Sequence, residues 1–195
     1  EGNIEKIANT TFLSNDRENP NICIRYSEIY NIFENNNNDP NIKNSYVNST
    51  SDFISISNVE EDYNINIDKV KFDNIKELIS FDIEEKYNEG KSEKLKINIT
   101  NSSINTDDLE LLKYDIENKF IDAVNYNLIN NTFNIKNNLS LNNVNSKLIH
   151  NTIKAKDING FEKTEFKNNL IISDENEDLA KYLGTSEKIK NSKEN

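Results

Sequence analysis

The sequence predicts an α+β fold: an antiparallel β-sheet made of hairpins, one long amphipathic helix packed across it, and short helices near both termini. Three observations carry that expectation. Apolar and polar residues alternate with period two in residues 78–100 and 147–172. An Asn-Gly pair stands between two such runs, and one apolar stripe of helical period runs through residues 106–125.

The elements follow in chain order. In NPNICIRYSEIYNIFEN, Asn19 can cap a helix and Pro20 can open it, which places Ile22, Tyr26, Ile29 and Phe33 on one face. The run Asn35 to Asn38 and then Asp39-Pro40 end that helix, because the residue before proline is pushed out of the α region. Residues 35–50 therefore read as an Asn-rich loop. From residue 52 the period becomes two, in DFISIS and YNINI. ELISFDIEEKY and KLKINIT, with Gly90 midway between them, read as a hairpin over residues 78–100. A helix from Asp73 to Tyr87 fits the same apolar residues less strictly.

Residues 106–125 read as the long helix. Asn105 or Thr106 caps it, Asp107, Asp108 and Glu110 sit in its first turn, and Leu109, Leu112, Ile116, Phe120, Ala123 and Val124 form its apolar stripe. Asn159-Gly160 fits a two-residue hairpin turn, which pairs Ile158 with Phe161, Ile153 with Phe166, Ile149 with Leu170 and Lys154 with Glu165. Ser173 then caps a short helix that buries Leu179 and Leu183 and stops at Gly184, leaving residues 185–195 as a frayed tail. The whole, residues 1–195, reads as a single domain.

Asparagine makes up about a fifth of the chain, far above its ordinary share, as the codons of a low-GC genome produce. On that reading the Asn35 to Asn38 run is only a solvated loop, and the N-x-Ser/Thr patterns at Asn9, Asn48, Asn98, Asn101, Asn130 and Asn138 are no more than chance supplies. A net charge of −11 and a pI near 4.7 oppose binding to nucleic acid or to anionic lipid, both of which need a basic face. No apolar run reaches the roughly 20 residues that span a bilayer. The absence of methionine, even at position 1, reads as a processed N-terminus and so as an extracellular, cell-surface or virion protein.

Chemistry-bearing residues are few. The lone cysteine, Cys23, excludes an internal disulfide and reads as a small buried apolar residue. His150, the only histidine, falls on the polar face of the expected hairpin beside Asn169, with no serine or cysteine placed to partner it. Asp174, Asn176 and Asp178 imitate the start of a calcium loop. Leu179 and Thr185, however, stand where such a loop needs glycine and a bidentate glutamate. No phosphate-binding or nucleophile motif is present, so the sequence nominates no catalytic, cofactor-binding or metal-binding residue and no cofactor. The expected function is a non-catalytic structural or protein-interaction domain, with protein partners or self-assembly in a surface, secreted or virion assembly. The alternative is a carboxylate-based, glycosidase-like hydrolase, since 34 Asp and Glu residues make some suitable pair easy to find.

Overall fold

A computed structural model describes residues 7–14, 22–24, 42–50, 52–57, 63–82, 95–114, 124–142, 144–174, 177–183 and 188–190. It is a parallel β-solenoid. The first coil holds β1 (Ile7–Ala8), β2 (Thr11–Ser14) and β3 (Ile22–Ile24); the second β4 (Ile42–Lys43), β5 (Tyr46–Ser49) and β6 (Ile54–Ser57). The third holds β7 (Tyr63–Asp68), β8 (Lys71–Asp73) and β9 (Glu77–Asp82); the fourth β10 (Leu95–Thr100), β11 (Ser103–Thr106) and β12 (Leu109–Tyr114). In the fifth come β13 (Val124–Ile129), β14 (Thr132–Ile135) and β15 (Asn138–Ser140), and in the sixth β16 (Asn145–Ile149), β17 (Thr152–Lys154) and β18 (Asp157–Asn159). The last coil has β19 (Thr164–Lys167), β20 (Leu170–Ile172), the helix α1 (Glu177–Leu183) and β21 (Lys188–Lys190).

Each of the first six coils adds one strand to each of three parallel sheets, and the last adds β19 to the first and both β20 and β21 to the second; the orders are β1-β4-β7-β10-β13-β16-β19, β2-β5-β8-β11-β14-β17-β20-β21 and β3-β6-β9-β12-β15-β18. In-register stacking sorts the core into columns. Ile7, Ile42, Ile67, Ile99, Leu128, Leu148 and Phe166 lie one above another in the first sheet. Phe12, Val47, Phe72, Ile104, Phe133, Ile153 and Ile171 do so in the second. Edge-to-face contacts of Phe53 with Phe12 (5.7 Å) and Phe72 (5.1 Å) tie the early coils together. Tyr126 is fully buried in the first sheet, and its hydroxyl crosses the core to the Leu111 carbonyl in the third. Below it in the same column, Ser146 and Thr164 satisfy each other at 2.7 Å.

The corner between the first two sheets repeats in every coil. Asn9, Asn44, Lys69, Asn101, Asn130, His150 and Asn168 have φ between 48° and 57°, the left-handed conformation that asparagine tolerates best among residues with a Cβ. The residue after each points inward, where the bend leaves its backbone N–H without a strand partner. At five of these corners a side chain one coil on supplies the acceptor. Thr10 N–H donates to Ser45 Oγ, Val70 N–H to Ser102 Oγ, Ser102 N–H to Asn131 Oδ1, Asn131 N–H to Asn151 Oδ1 and Asn151 N–H to Asn169 Oδ1. The amides of Asn131, Asn151 and Asn169 donate in turn to the carbonyls of Ile99, Leu128 and Leu148. This buried amide ladder answers where the corner's backbone hydrogen bonds go.

The α+β expectation with antiparallel hairpins is overturned, since every strand pair is parallel and α1 is the one α-helix among the described residues. The expected helix over 106–125 is β12 and β13, with residues 115–123 outside the described residues. Leu109 and Leu112 are three apart and fit the helical period, but Leu111 is buried too, which the helical stripe did not require. The 78–100 hairpin is two strands in different sheets, β9 beside β12 and β10 beside β13. At Asn159-Gly160 the chain does not reverse. Gly160 (φ 69°) opens a 3-10 turn over Phe161–Lys163, and β19 then runs parallel to β16. Ile153 thus pairs with Phe133 and Ile171 rather than Phe166, and Glu165 meets Lys147 (3.0 Å) rather than Lys154. A two-residue turn signal also fits a corner that needs one left-handed residue.

Four smaller expectations fall differently. The N-terminal helix over 20–33 is overturned where it is described, at β3, and its other residues lie outside the described set, as do Asn35 to Asn38. The 35–50 loop contains β4 and β5. The 185–195 tail contains β21, paired with β20. The short C-terminal helix is present as α1, which buries Leu179 and Leu183 and turns Glu177, Asp178 and Lys181 outward. Its Tyr182 hydroxyl donates to the Thr164 carbonyl (3.1 Å) and its ring packs on Phe161 (5.3 Å), as suits a capping element with a polar outer face.

Candidate functional site

Outward side chains stack in register as the core does, and many of the asparagines among them bond to each other. Asn127 donates to Asn98 and Asn98 to Asn66, both at 2.7 Å, along the first sheet. Asn134 donates to Asn105 (2.8 Å) and Asn105 to Asp73 (2.9 Å) along the second. Asn130 donates to Asn101 (2.6 Å), and Asn101 and Thr100 both donate to Asp68 (2.7 Å each). Asparagine in register on a parallel sheet can both donate and accept along the column, as in stacked amide ladders.

The Asp73 end of its column is an electrostatic cluster. Lys71 Nζ lies 2.6 Å from the carboxylate and 5.1 Å from the Tyr46 ring centroid. Partial burial pushes the Asp73 carboxyl up, but hydrogen bonds from Lys71, Asn105 and Tyr46 together outweigh it and hold the group below its ordinary range. The bond to Asp73 likewise raises both Tyr46 and Lys71. Because the folded carboxyl is the stronger acid, its stabilisation is present above the unfolded value of about 3.9 and fades as pH falls through the lower folded value. Asp73→Asn should therefore lower Tm at pH 7, and the gap from the parent should close as pH is brought below about 4. Thermal melts across that range check it.

A groove interrupts this pattern where the second sheet turns toward the third in coils five to seven. Its volume is about 440 Å³. Half-exposed Ile172 supplies apolar surface above the buried Ile135 and Ala155, and Asn134, Lys154, Lys136, Lys156 and Asp174 supply the polar rim. In register terms the column Asp73, Asn105, Asn134 continues as Lys154 and Ile172. The amide ladder therefore ends at the groove. No family model, curated protein or solved structure matches the chain.

The residues that sequence reading singled out are not brought together. His150 occupies a left-handed corner position (φ 57°) between Asn130 and Asn168, and its N–H donates to the Lys167 carbonyl. Its role there is conformational. His150→Asn should leave stability unchanged within a few tenths of a kcal/mol, whereas His150→Val should cost about 1–2 kcal/mol, because a β-branched residue resists that conformation. Urea denaturation of both variants checks this. Cys23 lies in β3, in register with Ser55. Asp174 sits at the groove, Asp178 lies in the first turn of α1, and Asn176 is outside the described residues. No group of three His, Cys, Asp or Glu side chains among the described residues is placed to hold a metal ion, and no described helix is long and apolar enough to cross a membrane. Sequence reading missed the groove, whose only linear trace is Lys-Ala-Lys at 154–156.

Proposed function

We propose that the chain is a non-catalytic structural and protein-interaction module, a stiff element of a surface, secreted or virion assembly. The observation that supports this most is the mutual hydrogen bonding of outward side chains in the Asn66-Asn98-Asn127 and Asp73-Asn105-Asn134 columns. Such columns produce flat, regular faces that repeat at the strand spacing of about 4.8 Å. Faces of that kind suit broad contact with another macromolecule better than enclosure of a small substrate. Lateral association fits better than end-to-end stacking at the C-terminal end, where α1 covers the last coil.

Sizing with light scattering over a wide concentration range, together with pull-down from the source organism's surface fraction, tests the proposal. Concentration-dependent association or a reproducible partner supports it. A clean monomer at high concentration with no partner recovered overturns it.

One observation favours the second reading, a carboxylate-based hydrolase. Glu77 and Glu110 are half-buried and stand directly opposite each other on β9 and β12. Neighbouring parallel strands put their Cα atoms about 4.8 Å apart, within reach of the roughly 5 Å carboxyl separation of retaining glycosidases. Release of reducing sugar from a polysaccharide panel, abolished by Glu110→Gln, would favour this reading over the first.

A further inference from the structure

We propose that the groove at Ala155 is a binding site for a small hydroxycarboxylic acid. Three features of the groove each ask for one part of such a ligand. The first is a surplus of positive charge: Lys136, Lys154 and Lys156 line it against the single carboxylate of Asp174, on a chain of net charge −11. Lys136 shares its charge with Asp107 at 3.5 Å, but Lys154 is exposed and makes no ion pair among the described residues, which suits a carboxylate.

The second is an acceptor. In the ladder each asparagine donates to the coil before it and offers its oxygen to the coil after it. Asn134 donates to Asn105, but Lys154 follows it in register, and among the described residues its ammonium makes no hydrogen bond to Asn134. Asn134 Oδ1 is thus left as an acceptor on the groove rim, where a ligand hydroxyl can donate to it. The third is apolar surface. Half-exposed Ile172 offers it to ligand C–H groups, over the buried Ile135 and Ala155, and Ala155 is the smallest inward residue near this corner.

Size and field narrow the ligand further. About 440 Å³ lies within the range of small-molecule sites. A long polyanion would run out of the groove onto a surface whose net charge repels it. A single carboxylate on a short polyol body satisfies all three features and stays inside.

Calorimetric titration of the full chain at low ionic strength, in parallel with gluconate, sorbitol, propionate and inorganic phosphate, tests the site. Gluconate should bind more tightly than propionate, which lacks hydroxyls, and than sorbitol, which lacks the carboxylate. Lys154→Glu should weaken gluconate binding by about tenfold or more, the scale of a lost charged hydrogen bond, while Lys96→Glu on the first sheet leaves it unchanged. Equal affinity for gluconate, propionate and phosphate, or equal effects of the two lysine variants, would mean that the chain merely attracts anions and would overturn the proposal. Absence of gluconate binding overturns it too. None of these outcomes bears on assembly, which is read by sizing and pull-down.

Discussion

Asn151→Ala is expected to destabilise the fold by about 3–5 kcal/mol, more than removal of any outward asparagine. The Asn151 side chain accepts from Asn131 N–H at 2.8 Å and donates to the Leu128 carbonyl at 2.8 Å, all within the core. Alanine leaves both backbone groups buried and unsatisfied, at about 1–3 kcal/mol each, and opens a small void beside them. Asn151→Asp should do no better. It keeps the acceptor for Asn131 but loses the donor for Leu128 and buries a charge, so the aspartate variant should recover partly as pH falls. Asn127→Ala, which removes one half-buried outward bond, should cost no more than about 1 kcal/mol. Equilibrium urea denaturation of the three variants gives the ordering. Equal losses for Asn151→Ala and Asn127→Ala would show that the corner ladder is not what holds the coils together.

Gly160→Ala is the second large effect. A Cβ at this position would lie 2.5 Å from the Asn142 backbone nitrogen and 2.7 Å from its Cα, at a φ of 69°. Backbone cannot step aside as a flexible side-chain end can, so coil six would have to move away from coil five. The left-handed conformation alone costs about 1–2 kcal/mol for alanine, and the steric conflict should bring the total to roughly 3 kcal/mol or more. Gly160→Asn separates the two causes. Asparagine accepts the conformation but not the contact, so it should remain nearly as damaging as alanine. In a two-residue hairpin turn, by contrast, asparagine would be tolerated. Thermal denaturation of both variants distinguishes these cases.

The alternation of apolar residues was legible: the period-two runs DFISIS, YNINI and KLKINIT contain β6, most of β7 and β10. Direction was not. Period two says only that side chains alternate between faces, and it cannot distinguish a strand that returns beside its neighbour from one that goes round a coil. The stronger signal was the repeat itself. Each corner reads apolar, any residue, left-handed residue, usually polar residue, any residue, apolar: Ile99 to Ile104 around Asn101-Ser102, Leu128 to Phe133 around Asn130-Asn131, Leu148 to Ile153 around His150-Asn151. Uneven spacing hides it, because equivalent residues are 35 apart from Ile7 to Ile42 but 18 apart from Leu148 to Phe166. A search for a fixed period passes over such an array.

The asparagine content has a structural use as well as a codon bias. At Asn101, Asn130 and Asn168 the residue tolerates positive φ, at Asn131, Asn151 and Asn169 it completes the buried ladder, and at Asn98, Asn105, Asn127 and Asn134 it links outward columns. Several of the N-x-Ser/Thr patterns, at Asn9, Asn101 and Asn130, arise from the corner repeat. The groove was beyond the reach of a linear reading, because Asn134, Lys154 and Ile172 become neighbours only when three coils are stacked in register.

Disulfide trapping in a Cys23→Ser background tests the parallel stack most directly. The pair Lys147→Cys with Glu165→Cys stands in register on β16 and β19, with Cα atoms at the strand spacing of about 4.8 Å, inside the range a disulfide spans. The pair Lys154→Cys with Glu165→Cys is the one an Asn-Gly hairpin would join, but in the solenoid its members lie on different sheets. Mild oxidation of the folded protein should close the first pair rapidly, with native stability retained, and leave the second as free thiols. Rapid closure of the second pair with the first left open would contradict the parallel solenoid.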